Sequence, residues 1–224
     1  MTGFRVLKRR RCVDPATVER FRGLPVANIS DSMHRMSAAG PRLRPLHGGG
    51  YLAGAALTVK ARPGDNLMVH KALAMAVPGD VIVVDAGGDL TNSLVGELMT
   101  SFAISRGVAG MVINGSVRDL ATIRAGQFPV YAAGVSHRGP YKDGPGEINV
   151  PIALDGMLIE PGDLIVGDED GLLCVPLADV GRVHAAAVAK GNAEAATLAA
   201  TIAGKKDLAW LDAELTRLGC YIEE

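Results

Sequence analysis

Four apolar runs in the central part of the chain, "AGAALTVKAR", "VIVVDAG", "GMVINGS" and "PVYAAG", are separated by "NLMVHKALAMA", "GELMTSFAISRG" and "LATIRAG", whose apolar residues recur at helical spacing. Strand and helix in alternation predict an α/β core, because a strand without polar positions has to be covered on both faces and helices are the usual cover. The turn "RPGD" stands before the first of these helices and the glycine-rich connection "GGDLTNSLV" before the second. Pro-Gly-Asp recurs at 63, 78 and 161, each time as a break beside an apolar segment, and reads as a turn.

Both flanks have their own texture. "VDPATVERFRGL" opens on Asp14 as an N-cap with Pro15 at the first helical position, and "VANISDSMHRM" is a second short helix that contains Asp31. From about residue 147, "EINVPIAL", "GMLIEPGDLIVGD" and "GLLCVP" are short strands divided by Gly, Pro and Asp, expected to pair back onto the same core. The last segment is Ala-rich and helical by propensity, with a break near Gly204. A first tail helix of about 25 residues would run nearly 40 Å, longer than one compact core requires. The expected organisation is an α/β domain over 1–178 and a helical tail over 179–224 that packs on a neighbouring subunit of a homo-oligomer.

Composition excludes several partners. Lys+Arg 23 against Asp+Glu 24 gives a formal net charge of −1, so no global field recruits nucleic acid or an anionic membrane. The one basic cluster, "LKRRRC", has no interleaved aromatics and reads as a solvated N-terminal segment. Cys12, Cys174 and Cys220 are odd in number and far apart, which suggests neither a disulfide framework nor a cysteine metal site and fits a reducing cytoplasm. The N-terminal basic residues are followed by no apolar stretch of the signal-peptide kind. No window reaches the roughly 18 apolar residues of a membrane span, so a soluble, unexported chain is expected.

Motif by motif, most familiar chemistries fall away. His34, His47, His70, His137 and His184 form no H-x-x-x-H or H-E-x-x-H pair; neither phosphate-binding glycine pattern follows a strand; and G-x-S-x-G is absent. A set of carboxylates with one arginine remains. Glu97 sits in the first turn of its predicted helix, where the N–H groups of Glu97, Leu98 and Met99 lack intrahelical partners and make an anion site. Twenty residues later, after one helix and one strand, comes Arg118-Asp119. In a helix-then-parallel-strand unit both positions return to the same edge of the sheet, where ligands of open α/β sheets gather. The bland alternatives are a helix-dipole role for Glu97, an N-cap on "LATIRAG" for Asp119 and a surface ion pair for Arg118. The functional one is a single carboxylate holding a largely hydrated Mg²⁺ beside a guanidinium that clamps a carboxylate or developing enolate.

Over nearly its whole length the sequence resembles the class II pyruvate aldolases acting on 4-hydroxy-4-methyl-2-oxoglutarate and 4-carboxy-4-hydroxy-2-oxoadipate, and their relatives the regulator-of-ribonuclease-activity-A-like (RraA-like) proteins. The likeness is carried by "NISDSMHR", "RPGDNLMVHKAL", "VGELMTSFAISRGVAGMVINGSVRD" and "INVPIALDGMLIEPGDLIVGDEDGLLCVP", in order and spacing. The resemblance implies an RraA-like α/β sandwich with a swivelling β/β/α-type core and a C-terminal helical tail, assembled as trimers or hexamers with sites between subunits. It further implies that Asp119 is the direct ligand of Mg²⁺ or Mn²⁺ and that Arg118 binds the 2-oxo acid and stabilises its enolate. Glu97 stands where the aldolases have an aspartate that holds metal-bound water. Gly96, Glu97, Leu98 and Met99 form the substrate-binding helix start, with the Leu98 and Met99 amides receiving the pyruvyl carboxylate. Asp31 falls on a glutamate position, and Glu194 matches a tail-helix glutamate that enters the neighbour's site.

The implied reaction is retro-aldol cleavage of a small hydroxy-oxo acid to pyruvate and a second oxo acid, with oxaloacetate decarboxylation as a side or even main activity. Two rivals stand beside it. One is a Schiff-base aldolase using Lys60, a lysine in an apolar strand where desolvation could lower its pKa. The other is a non-catalytic regulator that binds a ribonuclease. A methyltransferase label, also attached to this family, finds no glycine-rich adenosylmethionine loop here.

Overall fold

The strands of the central alternation line up in one mixed sheet with helices on both faces. The computed structural model describes residues 2–37 and 39–223. In chain order the first elements are β1 (Phe4–Val6), α1 (Pro15–Phe21), α2 (Val26–Ser32), β2 (Arg44–Pro45), β3 (Leu52–Ala61), α3 (Leu67–Met75) and β4 (Asp80–Asp85). Then follow β5 (Ser93–Val95), α4 (Glu97–Ser105), β6 (Gly110–Val117), α5 (Leu120–Ala125) and β7 (Val130–Val135). The β-rich part supplies β8 (Gly146–Ile148), β9 (Ile152–Leu154), β10 (Met157–Ile159), β11 (Leu164–Asp168) and β12 (Gly171–Val175), and the tail supplies α6 (Val180–Ile202) and α7 (Ala209–Arg217).

The ten-stranded sheet runs β1-β8-β3-β4-β6-β7-β2, with β11 also on β3, β12 on β11 and β5 on β6. Its centre, β3-β4-β6-β7, is parallel. The later strands do pair back: β8 and β11 both run antiparallel to β3, and only β9 and β10 form a separate two-stranded piece.

The apolar runs are explained by burial on both sides. Val81 and Val83 of β4 join a core with Phe21, Ile29, Val183 and Ala187 from α1, α2 and α6. Their neighbours Ile82 and Val84 join a second core with Met68 and Leu73 of α3, Met99 and Ala103 of α4 and Ile123 of α5. Alternate side chains of one strand thus face opposite layers, as the two-residue period of a strand requires.

Two details depart from the sequence reading. The end of "GGDLTNSLV" is not simply a connection but forms β5, parallel to β6 and too short for a periodic pattern to reveal. "VANISDSMHRM" is helical only through Ser32, because His34 and Arg35 take φ of 58° and 62° and leave the helical region. The tail break falls where expected, with Gly204 at φ +67° behind α6. Among the described residues no helix is long and apolar enough to cross a membrane.

Ile82 is fully buried at the centre of the second core. Ile82→Ala should lower the unfolding free energy by about 2–5 kcal/mol, the usual cost of a cavity at such a site. Urea denaturation followed by circular dichroism measures it, and a loss near zero would mean that this layer can collapse around the gap.

Candidate active site

The short pairing of β5 with β6 brings the two motifs together. Because β5 runs parallel to the end of β6, the Arg118 N–H donates to the Val95 carbonyl at 2.9 Å, and Arg118-Asp119 emerges directly beside Gly96 and the first turn of α4. Asp119 occupies the position before α5 with φ 59° and ψ 40°, and its side chain makes no capping bond to that helix. Its Oδ2 instead accepts the N–H of Glu97 at 2.8 Å. The N-cap role on "LATIRAG" is therefore not what the carboxylate does. Arg118 Nε lies 3.7 Å from the same oxygen, a loose contact between two partly exposed side chains rather than a sealed ion pair.

Gly96 makes this approach possible. A Cβ there would overlap the Asp119 carboxylate and lie 2.9 Å from Arg118 Cγ. Space is the requirement, since its φ of −148° is extended backbone open to any residue. The helix start is less open than expected: Asp119 takes the Glu97 N–H, and a tightened first turn directs the Met99 N–H to the Gly96 carbonyl at 3.1 Å. Among the described residues the Leu98 N–H alone of the three has no partner. Glu97 lies at the rim, with Oε2 3.4 Å from Thr122 Oγ1 of α5.

These groups face a cleft of about 240 Å³, lined by Gly96, Leu98, Met99, Arg118 and Asp119. The same cleft is also lined by Asn66, His70 and Lys142, which sequence reasoning missed. A signal existed for two of them, because Asn66 and His70 are four residues apart at the start of α3 and such positions share a helix face. Lys142 arrives from a distant loop. Asp65, buried, accepts the N–H groups of Leu67, Asp143 and Gly144 at 2.7–2.9 Å and so fastens that loop to the start of α3. Burial first, and the Lys142 cation second, push the His70 imidazole pKa down, which favours its neutral form at pH 7.

Asp31 and Glu194 do not line this cleft in the same chain. They belong to α2 and α6, which pack on the opposite face of the sheet from α4. Both meet Lys190 there, at 2.9 Å and 3.1 Å, and Lys190 together with Arg35 holds the Asp31 carboxyl below its usual range. Lys60 is exposed at the end of β3, so the desolvation that a Schiff-base lysine needs is not present and that rival loses its footing.

Among the described residues no three His, Cys, Asp or Glu side chains cluster as a metal cage. The donor set fits a different kind of cation site. Asp119 presents one carboxylate oxygen that no hydrogen bond engages among the described residues, on a partly exposed side chain at the cleft edge. One carboxylate plus water and substrate oxygens is the arrangement Mg²⁺ favours.

Gly96→Ala should displace the Asp119 carboxylate or the α4 start, costing about 1–3 kcal/mol of stability by overpacking. Chemical denaturation and a crystal structure of the variant check this; an unchanged Asp119 position would show that the close approach is not required.

Comparison with known proteins follows the same outline. A family profile described as "RraA-like: Aldolase/RraA" matches residues 26–174. A relative from Halalkalibacterium halodurans, provisionally named a 4-hydroxy-4-methyl-2-oxoglutarate aldolase, is 41% identical over 159 residues, covering 71% of this chain and 76% of its own. Among solved structures, an uncharacterized protein from Pseudomonas syringae pv. tomato superposes with a TM-score of 0.79 at 26% identity, over 88% of this chain and 93% of that one. The RNA-processing inhibitor RraA from Thermus gives a TM-score of 0.62 at 32% identity, over 67% of this chain and 91% of that one. With the profile spanning most of the chain and the α/β architecture shared, this protein belongs to the RraA-like aldolase family.

Proposed function

We propose that the chain is a divalent-metal-dependent aldolase that cleaves 4-hydroxy-4-methyl-2-oxoglutarate or 4-carboxy-4-hydroxy-2-oxoadipate to pyruvate and a second oxo acid, with oxaloacetate decarboxylation as a side activity. The observation that carries this reading is the convergence of Arg118, Asp119 and the free Leu98 N–H on one small cleft. The provisional name of the Halalkalibacterium relative agrees with it.

In this reading Asp119 holds Mg²⁺ or Mn²⁺ through the oxygen that the Glu97 amide leaves free, with water and substrate oxygens as the other ligands. Bound there, the ion supplies Lewis acidity toward the substrate's 2-oxo group. The Leu98 N–H, at the positive end of α4, receives the C1 carboxylate. Glu97 orients a water that takes the proton of the C4 hydroxyl. The O–H electron pair becomes the new carbonyl of the departing oxo acid, the C3–C4 bond breaks, and its pair moves onto the 2-oxo oxygen as an enolate. Arg118 stabilises that charge by charge-assisted hydrogen bonding, and protonation at C3 completes pyruvate. Oxaloacetate reaches the same enolate by losing CO₂. Glu194, carried on α6, and Asp31 serve a neighbouring subunit's cleft in a trimer or hexamer.

Pyruvate release from the two hydroxy-oxo acids and from oxaloacetate tests the reading. The native chain should lose turnover in EDTA and recover it with Mg²⁺, and Asp119→Ala should lose at least about a hundredfold in kcat/KM. Full metal-dependent turnover by Asp119→Ala would falsify the ligand assignment. Sedimentation equilibrium should give a trimeric or hexameric mass; a monomer would remove the role in trans of Glu194.

A further inference from the structure

We propose that Asp65 is a positioning residue for the reaction: its buried carboxylate sets where Lys142 stands, and through Lys142 it governs how tightly the anionic substrate is held. The inference rests on the aldolase reading above and gives a role in turnover to a residue that does not itself line the cleft.

Pro-Gly-Asp occurs three times in the chain, and its three aspartates, Asp65, Asp80 and Asp163, are all buried. Two of them are used alike. Asp80 accepts the Val77 N–H and an Arg9 guanidinium N–H, and Asp163 accepts the Glu160 N–H and an Arg11 guanidinium N–H, so each closes its own turn and holds the N-terminal segment. Both stand near Ala55, toward the start of β3. Asp65 lies past the other end of β3, and among the described residues its partners are three backbone N–H groups on two separate segments. The same tripeptide is thus spent on arginines at one end of the strand and on the cleft at the other.

The two oxygens of Asp65 have separate tasks. Oδ1 accepts the Leu67 N–H at 2.9 Å and satisfies a free donor at the start of α3. Oδ2 accepts the N–H groups of Asp143 and Gly144 at 2.7 Å and 2.8 Å, the two residues that follow Lys142. On its other side Tyr141 is tied by backbone alone, its N–H donating to the Gly64 carbonyl at 2.9 Å and its carbonyl accepting the Asn66 N–H at 3.0 Å. Lys142 is therefore an exposed residue between two anchors, and it lines the cleft. The anchor at Tyr141 alone leaves the residues after it free to turn; hydrogen bonds to a charged acceptor remove that freedom. Lysine is long and flexible, and on a fixed backbone its cation meets an anion at a smaller cost in entropy than on a loose loop. Loss of the Asp65 anchor should accordingly appear in KM.

A double-mutant cycle tests this, with pyruvate release from 4-hydroxy-4-methyl-2-oxoglutarate in Mg²⁺ as the readout. Asp65→Ser keeps an oxygen able to cap α3 but too short to span to Asp143 and Gly144. It should raise KM by about fivefold to tenfold with kcat within about twofold of native, Lys142→Met should do the same, and the double variant should be no worse than Lys142→Met alone. Amide hydrogen exchange at Asp143 and Gly144 should be faster in Asp65→Ser, while that of the Glu97 N–H stays as in the native protein. If the two rises in KM multiply in the double variant, if either single variant keeps the native KM, or if the loop amides exchange at the native rate, Asp65 does not act through Lys142 and the inference falls. Should Asp65→Ser not fold, Asp65→Thr, which also caps and fills more of the space, takes its place with the same outcomes deciding. Each of these results leaves the aldolase reading standing; native protein that releases no pyruvate from either hydroxy-oxo acid overturns that reading and the role of Asp65 with it.

Discussion

The hydrogen bond from the Glu97 N–H to the Asp119 carboxylate joins the first turn of α4 to the end of β6, and the shape of the cleft depends on it. It places a carboxylate against the positive end of a helix and directs one oxygen inward to the amide while the other stays available. The backbone at Asp119 adopts a left-handed conformation to achieve this, at a cost of order 1 kcal/mol for a residue that tolerates the region better than most. Gly96 supplies the space. Had Asp119 taken the ordinary extended N-cap conformation, it would have capped α5, and no carboxylate would stand at the start of α4.

Charge at the cleft is local rather than global. The chain is nearly neutral, and several of its arginines are consumed in ion pairs: Arg5 with Glu147, Arg9 with Asp80, Arg42 with Asp155. Arg118 is different, since its nearest carboxylate is at 3.7 Å, and Lys142 has none among the described residues. Two cations with weak or no internal partners lining one cleft make a small region suited to a multiply charged anion without drawing anions to the surface at large. A neutral His70 between burial and Lys142 adds polarity without adding to the repulsion.

The layered fold was legible because its signal is repeated: β3, β4, β6 and β7 are each long enough to register as apolar runs, and burial on both faces of β4 explains why they do not alternate. Half of the cleft was legible too, since Gly96 to Met99 and Arg118-Asp119 are charged or turn-forming residues at element ends. What escaped was set by pairing rather than by pattern. The three residues of β5 carry no period, yet their register against β6 decides that Arg118 lies beside Gly96. Lys142 sits in a loop whose place is decided by a buried aspartate some 78 residues earlier in the chain, and Asp65 looks in sequence like part of a turn. The Met99 amide was expected to be free because an ideal α-helical start leaves it so; a tighter first turn uses it.

Glu97 illustrates how a single methylene changes what a position can reach. An aspartate there would keep its carboxylate close to the α4 axis, whereas the glutamate extends far enough for Oε2 to come within 3.4 Å of Thr122 on α5. The side chain therefore crosses the same gap that the Asp119 carboxylate spans in the opposite direction, one from α4 toward α5 and the other from the α5 start toward α4. Two carboxylates arranged this way cannot both turn into the cleft without mutual repulsion, and the long contact to Thr122 is weak enough to give way when a cation or a donor arrives between them. The glutamate is thus compatible with orienting water at the rim while Asp119 keeps its place beside the helix start.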